Sequence, residues 1–383
     1  MTERMTAVAH AEAMATYAEA GLKRAAALGN RGPLRLGPNG RLVSEILDAY
    51  ERTGFYVFEN VIDEAELAAL RGELEGLLER APVDNGAKVD RQGRPAYGQE
   101  FARPVFSLIR PLVDPWGGTA ALGGRHPVKM AQPTFVDEAA PKVVFLMTGM
   151  CQTMASGLRL YGHPQLLAVA ASINGDDFVP YNDAIFIKQP GQGGAVAWHQ
   201  DGVTHWDNPA WDPGIHGFNF QVQLYDTSAA SCLWVVPGSH REGKIDIPAR
   251  LAANGGEEQL SDAVPLVCRA GDVTIANRQA LHGSFANTSP DFRASLTFGF
   301  HRRASVLGAK GALSEEGSVI YDEARIEARS KVLAVAIDAR ARHYPEEPRF
   351  PYAPFAGREV ELAFTPENWE RIIRDYNLND LSI

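Results

Sequence analysis

Cysteine is scarce in this sequence: Cys151, Cys232 and Cys268 are odd in number, far apart and in no CxxC pair. That excludes a disulfide framework, argues against a thiolate zinc site, and leaves the three as small buried apolar residues. Long apolar runs are missing too, since no window reaches the roughly 20 residues that a bilayer helix needs. The opening stretch carries Glu3, Glu12 and Glu19 and has no basic segment followed by an uninterrupted apolar run, so it does not read as a signal peptide. A cytoplasmic location is the expectation. Positive charge is in deficit: 37 Lys and Arg against 47 Asp and Glu leave a formal net charge of −10, which disfavours nucleic acid and anionic membranes as partners. Nor is there a dinucleotide fingerprint, because Gly191-Gln192-Gly193-Gly194 neither follows that pattern nor opens a helix and reads as a turn.

What is present is the composition of a globular enzyme-sized chain, 383 residues of which 45% are hydrophobic and 22% charged. Residues 1–81 read as helical support with one strand: an Ala-rich helix to about Ala27, a helix over Val43–Tyr50, a strand over Gly54–Val61, then a capping box at Asp63–Glu66 followed by Leu67, Leu70, Leu74 and Leu77 at helical spacing. Residues 82–141 are rich in Pro, Gly, aromatics and arginines without a steady period, the pattern of a long functional loop or lid. Helices are expected over Lys142–Tyr161 and Gln165–Ser172. From 178 to 303 the pattern changes to short alternating segments, clearest in Phe218–Tyr225 and Arg293–Phe300, which indicates an antiparallel sandwich or barrel. Helical patterns return in 304–383, around Glu323–Ala341 and Pro366–Tyr376. The expected class is mainly β with added helices.

Within the β region, His199 and Asp201 stand two apart on a strand-like run and so share a face. An imidazole beside a carboxylate suggests a metal, and His282, on or just after another strand, offers a third ligand. Two histidines and one carboxylate leave positions open on a metal, the arrangement that non-haem Fe(II) uses to hold a co-substrate and O2 together. Arg293 and Ser295 share one face of a later strand, and a guanidinium fork beside a hydroxyl suits a carboxylate. Gln221 and Gln223 occupy the polar face of their strand and line the pocket if that face is interior. His240, in a Pro-Gly-Ser-His turn, and His205, His216 and His301 lack partners at ligand spacing and stay outside the metal set.

At these residues the sequence resembles the phytanoyl-CoA dioxygenase family of Fe(II)/2-oxoglutarate oxygenases. The resemblance is carried by Trp198-His199-Gln200-Asp201, Val236-Pro237-Gly238-Ser239-His240, Ala270-Gly271-Asp272-Val273, and His282-Gly283-Ser284 running on to Arg293-Ala294-Ser295. It implies one oxygenase domain over 1–383 with a double-stranded β-helix (jelly-roll, cupin-like) core. Fe(II) would be held by His199, Asp201 and His282, and 2-oxoglutarate by Arg293, Ser295 and Lys188. Thr204 and Trp206 fall where relatives form a substrate wall. The implied activity is hydroxylation of a small organic molecule, a natural product or amino-acid-like metabolite, coupled to decarboxylation of 2-oxoglutarate to succinate. The implied assembly is a monomer or homodimer. A carboxylate at Asp201 argues against halogenation, and Ala229–Leu233 departs from the family's turn. The alternative reading is a non-catalytic jelly-roll metal- or ligand-binding or sensor protein.

Overall fold

The computed structural model describes residues 5–137, 139–201, 217–256, 258–310 and 319–381, so Thr204 and Trp206 lie outside the described residues. Its strands in chain order are β1 (Arg31–Pro33), β2 (Phe55–Glu59), β3 (Phe106–Ile109), β4 (Val143–Thr148), β5 (Val179–Lys188), β6 (Val196–His199), β7 (Gly217–Gln223), β8 (Leu233–Val235), β9 (Val264–Leu266), β10 (Val273–Asn277), β11 (His282–Ser284) and β12 (Arg293–His301). They form a large sheet of order β1-β2-β10-β7-β12-β5-β4-β3 and a small one of order β6-β11-β8-β9. The last eight strands distribute themselves between the two sheets, and every pairing among them is antiparallel. This is a double-stranded β-helix spanning Val179–His301, the form the family resemblance implies for the alternating region, and the chain is mainly β with added helices.

Period-2 patterning decides which side chains reach the inside. On β12, Ala294, Leu296, Phe298 and Phe300 join the main hydrophobic core, and on β7 so do Phe218, Phe220 and Val222. The intervening residues therefore face the space between the sheets. After α1 (Ala7–Leu28), the helices α2 (Ser44–Thr53), α3 (Glu64–Glu79), α4 (Met150–Thr153), α5 (Ala155–Tyr161) and α6 (Pro164–Asn174) and the later helix Glu323–His343 pack with the outer face of the large sheet, and Leu70, Leu158, Leu166, Val169, Val332 and Ile337 all belong to that core. A close approach between helices is at Gly162, where an added Cβ would sit 2.4 Å from the Ala336 carbonyl oxygen. α1 instead covers the small sheet, with Tyr17 stacked on Trp234 at 4.4 Å.

Two expectations need correction. Lys142–Tyr161 is not one helix: β4 takes its first part and joins the large sheet between β3 and β5, and helix begins only at Met150. The apolar run Val143–Met147 suits a strand buried on both faces as well as it suits a helix, and pairing with β5 decides. Residues 82–141 are not all loop, since β3 lies within them and forms the sheet edge. None of the described helices is long and apolar enough to cross a membrane.

Glu258 ties this long segment to the small sheet. Its carboxylate accepts from the Ala131 backbone N–H at 2.5 Å, and its carbonyl accepts from Trp198 Nε1 at 2.7 Å. Burial, opposed by the Ala131 bond and reinforced by Asp114, pushes the carboxyl up to about 7. The folded chain thus retains a proton that the unfolded chain releases near 4.5, so the contribution is complete below that pH and is lost as pH rises through about 7. Thermal melts between about pH 5 and pH 8 should show stability falling with pH, by at most about 1.4 kcal/mol per unit from this group. Glu258→Gln should flatten the dependence, and an unchanged slope in the variant would contradict the assignment.

Candidate metal centre

β6 ends at His199 and β11 begins at His282, and antiparallel pairing sets the two directly opposite each other. Their imidazole centroids lie 4.1 Å apart. Each ring is oriented by its own strand: Nδ1 of His199 is 2.8 Å from the Ala197 carbonyl oxygen, and Nδ1 of His282 is 2.8 Å from that of Ala280. With Nδ1–H donating, both Nε2 atoms are left as acceptors facing Asp201, at 3.7 Å from Oδ1 for His199 and 3.9 Å from Oδ2 for His282. Burial lowers both imidazole pKa values, and for His199 the neighbouring His282 and His126 add to the effect, so both rings stay neutral as metal ligands must.

Asp201 sits just past β6, fixed by its N–H donating to the Arg278 carbonyl at 2.7 Å. Arg125 Nη1 donates to its Oδ1 at 2.7 Å, Asn219 Nδ2 donates to its Oδ2 at 2.9 Å, and Arg278 Nε stands 4.0 Å away. Burial works to raise its pKa, but Arg125 and then Arg278 hold it far below the usual carboxylate range. Three donor atoms, one from each residue, lie within 4.8 Å of one another and all three residues are buried. Two neutral imidazoles and an ionised carboxylate on one side of a cavity fit a ferrous ion with open positions.

Along the same cavity Lys188 and Arg293 are cross-strand partners on β5 and β12. Both are buried, and among the described residues no carboxylate pairs with either. Arg293 is held by Nε donating to Ser295 Oγ at 2.9 Å, Nη1 to the Ser231 carbonyl at 3.1 Å, and Nη2 to Gln221 Oε1 at 3.2 Å. Lys188 Nζ donates to the Phe285 carbonyl. Burial first, and Arg293 second, push the lysine well below its ordinary pKa. Two cations buried side by side are costly unless an anion joins them, and the carboxylate of a small dicarboxylic acid meets that need.

His199, Asp201, His282, Lys188, Arg293 and Gln221 therefore line one cavity. Ser295 and Gln223 do not. The Ser295 hydroxyl donates to Gln223 Oε1 at 2.6 Å while accepting from Arg293, so this pair, on the inward faces of β12 and β7, braces the guanidinium. His240 bonds the Glu51 carbonyl through Nε2, and His301 meets Arg278, both away from the metal set. The sequence reading missed Arg125, Trp116, Tyr181, Asn219 and Arg278. Asn219 was accessible, being on the same strand face as Gln221. Tyr181 was not, because a register shift opposite Phe298 and Phe300 re-aims it inward.

The fold and donor set define a double-stranded β-helix protein with a two-histidine, one-carboxylate centre. The family model described as Phytanoyl-CoA dioxygenase (PhyH) matches residues 124–295, a stretch that contains all three donors and Arg293. The chain is 32% identical over 117 residues to Phytanoyl-CoA dioxygenase 1 of Oryza sativa subsp. japonica, covering 29% of this chain and 40% of that protein. It is 25% identical over 287 residues to the ectoine dioxygenase of Halomonas elongata, covering 69% of this chain and 71% of the relative. Among solved structures, EctD from S. alaskensis with 2-oxoglutarate and 5-hydroxyectoine aligns at a TM-score of 0.49 and 18% identity, over 75% of this chain and 86% of that one. Over residues 124–295 the chain is thus similar to the phytanoyl-CoA dioxygenase family, and it spans less than half the length of the rice relative.

Removing a donor should be more damaging than removing its support. Titration with Co(II) followed by its visible ligand-field bands should show tight binding abolished in His199→Ala and His282→Ala. Asn219→Ala should weaken it about 10- to 100-fold, the usual cost of losing a partner behind a metal ligand. Wild-type affinity in His282→Ala would remove that residue from the site.

Proposed function

We propose that this protein is an Fe(II)/2-oxoglutarate-dependent dioxygenase that hydroxylates a small organic molecule, a natural product or amino-acid-like metabolite. The observation that carries the reading is the conjunction of a three-donor centre and a buried cation pair in one cavity. A metal site alone fits many proteins; a metal site with a built anion anchor fits a bidentate co-substrate whose far carboxylate is gripped at a distance.

The roles divide by position. His199, Asp201 and His282 would hold the iron, with the two Nδ1 bonds fixing which nitrogen of each ring faces it. Arg293, with Lys188 beside it and Gln221 accepting one of its N–H groups, would hold the far carboxylate of 2-oxoglutarate, while Ser295 and Gln223 keep the guanidinium in place. Bound iron with 2-oxoglutarate and O2 supplies the oxidising chemistry, decarboxylation to succinate and CO2 with one oxygen atom delivered to a substrate C–H bond. Trp116, Phe145 and Phe186 give the cavity an aromatic wall that excludes water. Trp116 belongs to segment 82–141, which would thus act as the lid over the pocket; Thr204 and Trp206 remain proposed substrate contacts.

Anaerobic addition of Fe(II) and 2-oxoglutarate should produce a weak visible charge-transfer band, with succinate formed once O2 and a substrate are admitted. His199→Ala should lose the band. Arg293→Ala should raise the 2-oxoglutarate concentration needed for it by about 100-fold, in line with loss of a buried charged partner. A protein that binds Fe(II) and shows no band at any 2-oxoglutarate concentration would contradict the proposal.

A further inference from the structure

The cavity has a second cationic end that the co-substrate does not explain. Tyr181 and Lys188 stand at opposite ends of the inward face of β5, roughly 20 Å of strand apart. The Lys188 end carries Arg293; the Tyr181 end carries Arg278, stacked on the tyrosine ring at 4.0 Å, and Arg125. Arg125 enters from segment 82–141 just after Leu122, Gly123 and Gly124, which hold φ of 52°, 68° and 71°, a run of left-handed backbone that turns the side chain inward. The side chain is about nine-tenths buried. Among the described residues its carboxylate partner is Asp201, a single negative charge that also faces Arg278 and is one of the three candidate metal donors.

Polar capacity at this end is left over in other ways. Arg125 Nε has no hydrogen-bond partner among the described residues. Next to it His126 is fully buried between Trp116, at 5.4 Å, and His199, at 4.2 Å, and among the described residues neither of its ring nitrogens has a partner. Buried donors are seldom left unmet in a native fold, and a cluster of them beside a surplus guanidinium marks the place of a ligand. Among the described residues that line the cavity, Arg125, Lys188 and Arg293 face one carboxylate, Asp201.

We infer that the substrate itself is an anion, carrying a carboxylate or a phosphate monoester that Arg125 grips at the end of the cavity opposite the 2-oxoglutarate anchor. This rests on the proposed function above and names the substrate class for it. Arg125 is then a specificity-determining residue, and its guanidinium fork selects a planar or tetrahedral oxyanion over a neutral group of the same size.

The test uses the full-length protein loaded with Co(II) and saturated with 2-oxoglutarate. The probes are propionate, its neutral analogue propionamide, and inorganic phosphate, read by paramagnetic broadening of their proton or phosphorus NMR signals. Propionate or phosphate should broaden and propionamide should not, and whichever anion responds identifies the oxyanion. Because Arg125 also supports Asp201, each variant is compared at a Co(II) concentration that saturates it, and under those conditions Arg125→Gln should weaken the effect by about tenfold or more, with Arg125→Lys in between. Broadening that is equal for the amide and the anions, or unchanged in Arg125→Gln, overturns the inference and leaves the oxygenase reading standing. Failure of the wild-type protein to hold 2-oxoglutarate overturns that reading and the inference with it.

Discussion

The register between β6 and β11 is the constraint on which the site depends. Antiparallel pairing sets His199 and His282 opposite each other, although 82 residues of chain separate them, and each strand's own carbonyl then fixes the tautomer of its histidine. A slip of one residue between the strands would send one of the two imidazoles to the far side of the small sheet. That sheet is in turn held by Tyr17 stacked on Trp234 from outside and by the large sheet across the cavity. Packing far from the metal centre thereby sets the separation of its donors.

Charge is the second organising element. The interior holds Arg125, Lys188, Arg278 and Arg293 within a largely aromatic and aliphatic surround, and each is buried by a different element of the chain. Buried cations without a carboxylate partner are expensive, so Lys188 and Arg293 side by side fit an anion that arrives from solution. The metal donors stay in the state a metal requires for the same reason: burial keeps the imidazoles neutral, while the arginines keep Asp201 ionised.

Much of this was legible in the sequence because period 2 is a strong local signal. The alternation of Arg293, Ser295 and Thr297 with Ala294, Leu296 and Phe298 announced both the core face and the pocket face of β12, and HxD at two-residue spacing announced one side of the metal. What stayed hidden was non-local or irregular. Val143–Met147 is a strand because β5 is beside it, which no local pattern states. Arg125 reaches Asp201 from an aperiodic segment through left-handed turns, and Tyr181 turns inward at a break in register. Ser295 looked like a ligand contact, and only its hydrogen bond to Gln223 shows that its donor is already spent.

The central claim is that residues remote in the chain form one ferrous site open on the side of the cavity. Anomalous X-ray scattering at the iron edge, from crystals grown anaerobically with Fe(II) and 2-oxoglutarate, tests it most directly. The account predicts one strong peak about 2.0–2.2 Å from Nε2 of His199, Nε2 of His282 and a carboxylate oxygen of Asp201, with no fourth protein ligand. A peak elsewhere, or one also bound by His126, would contradict it.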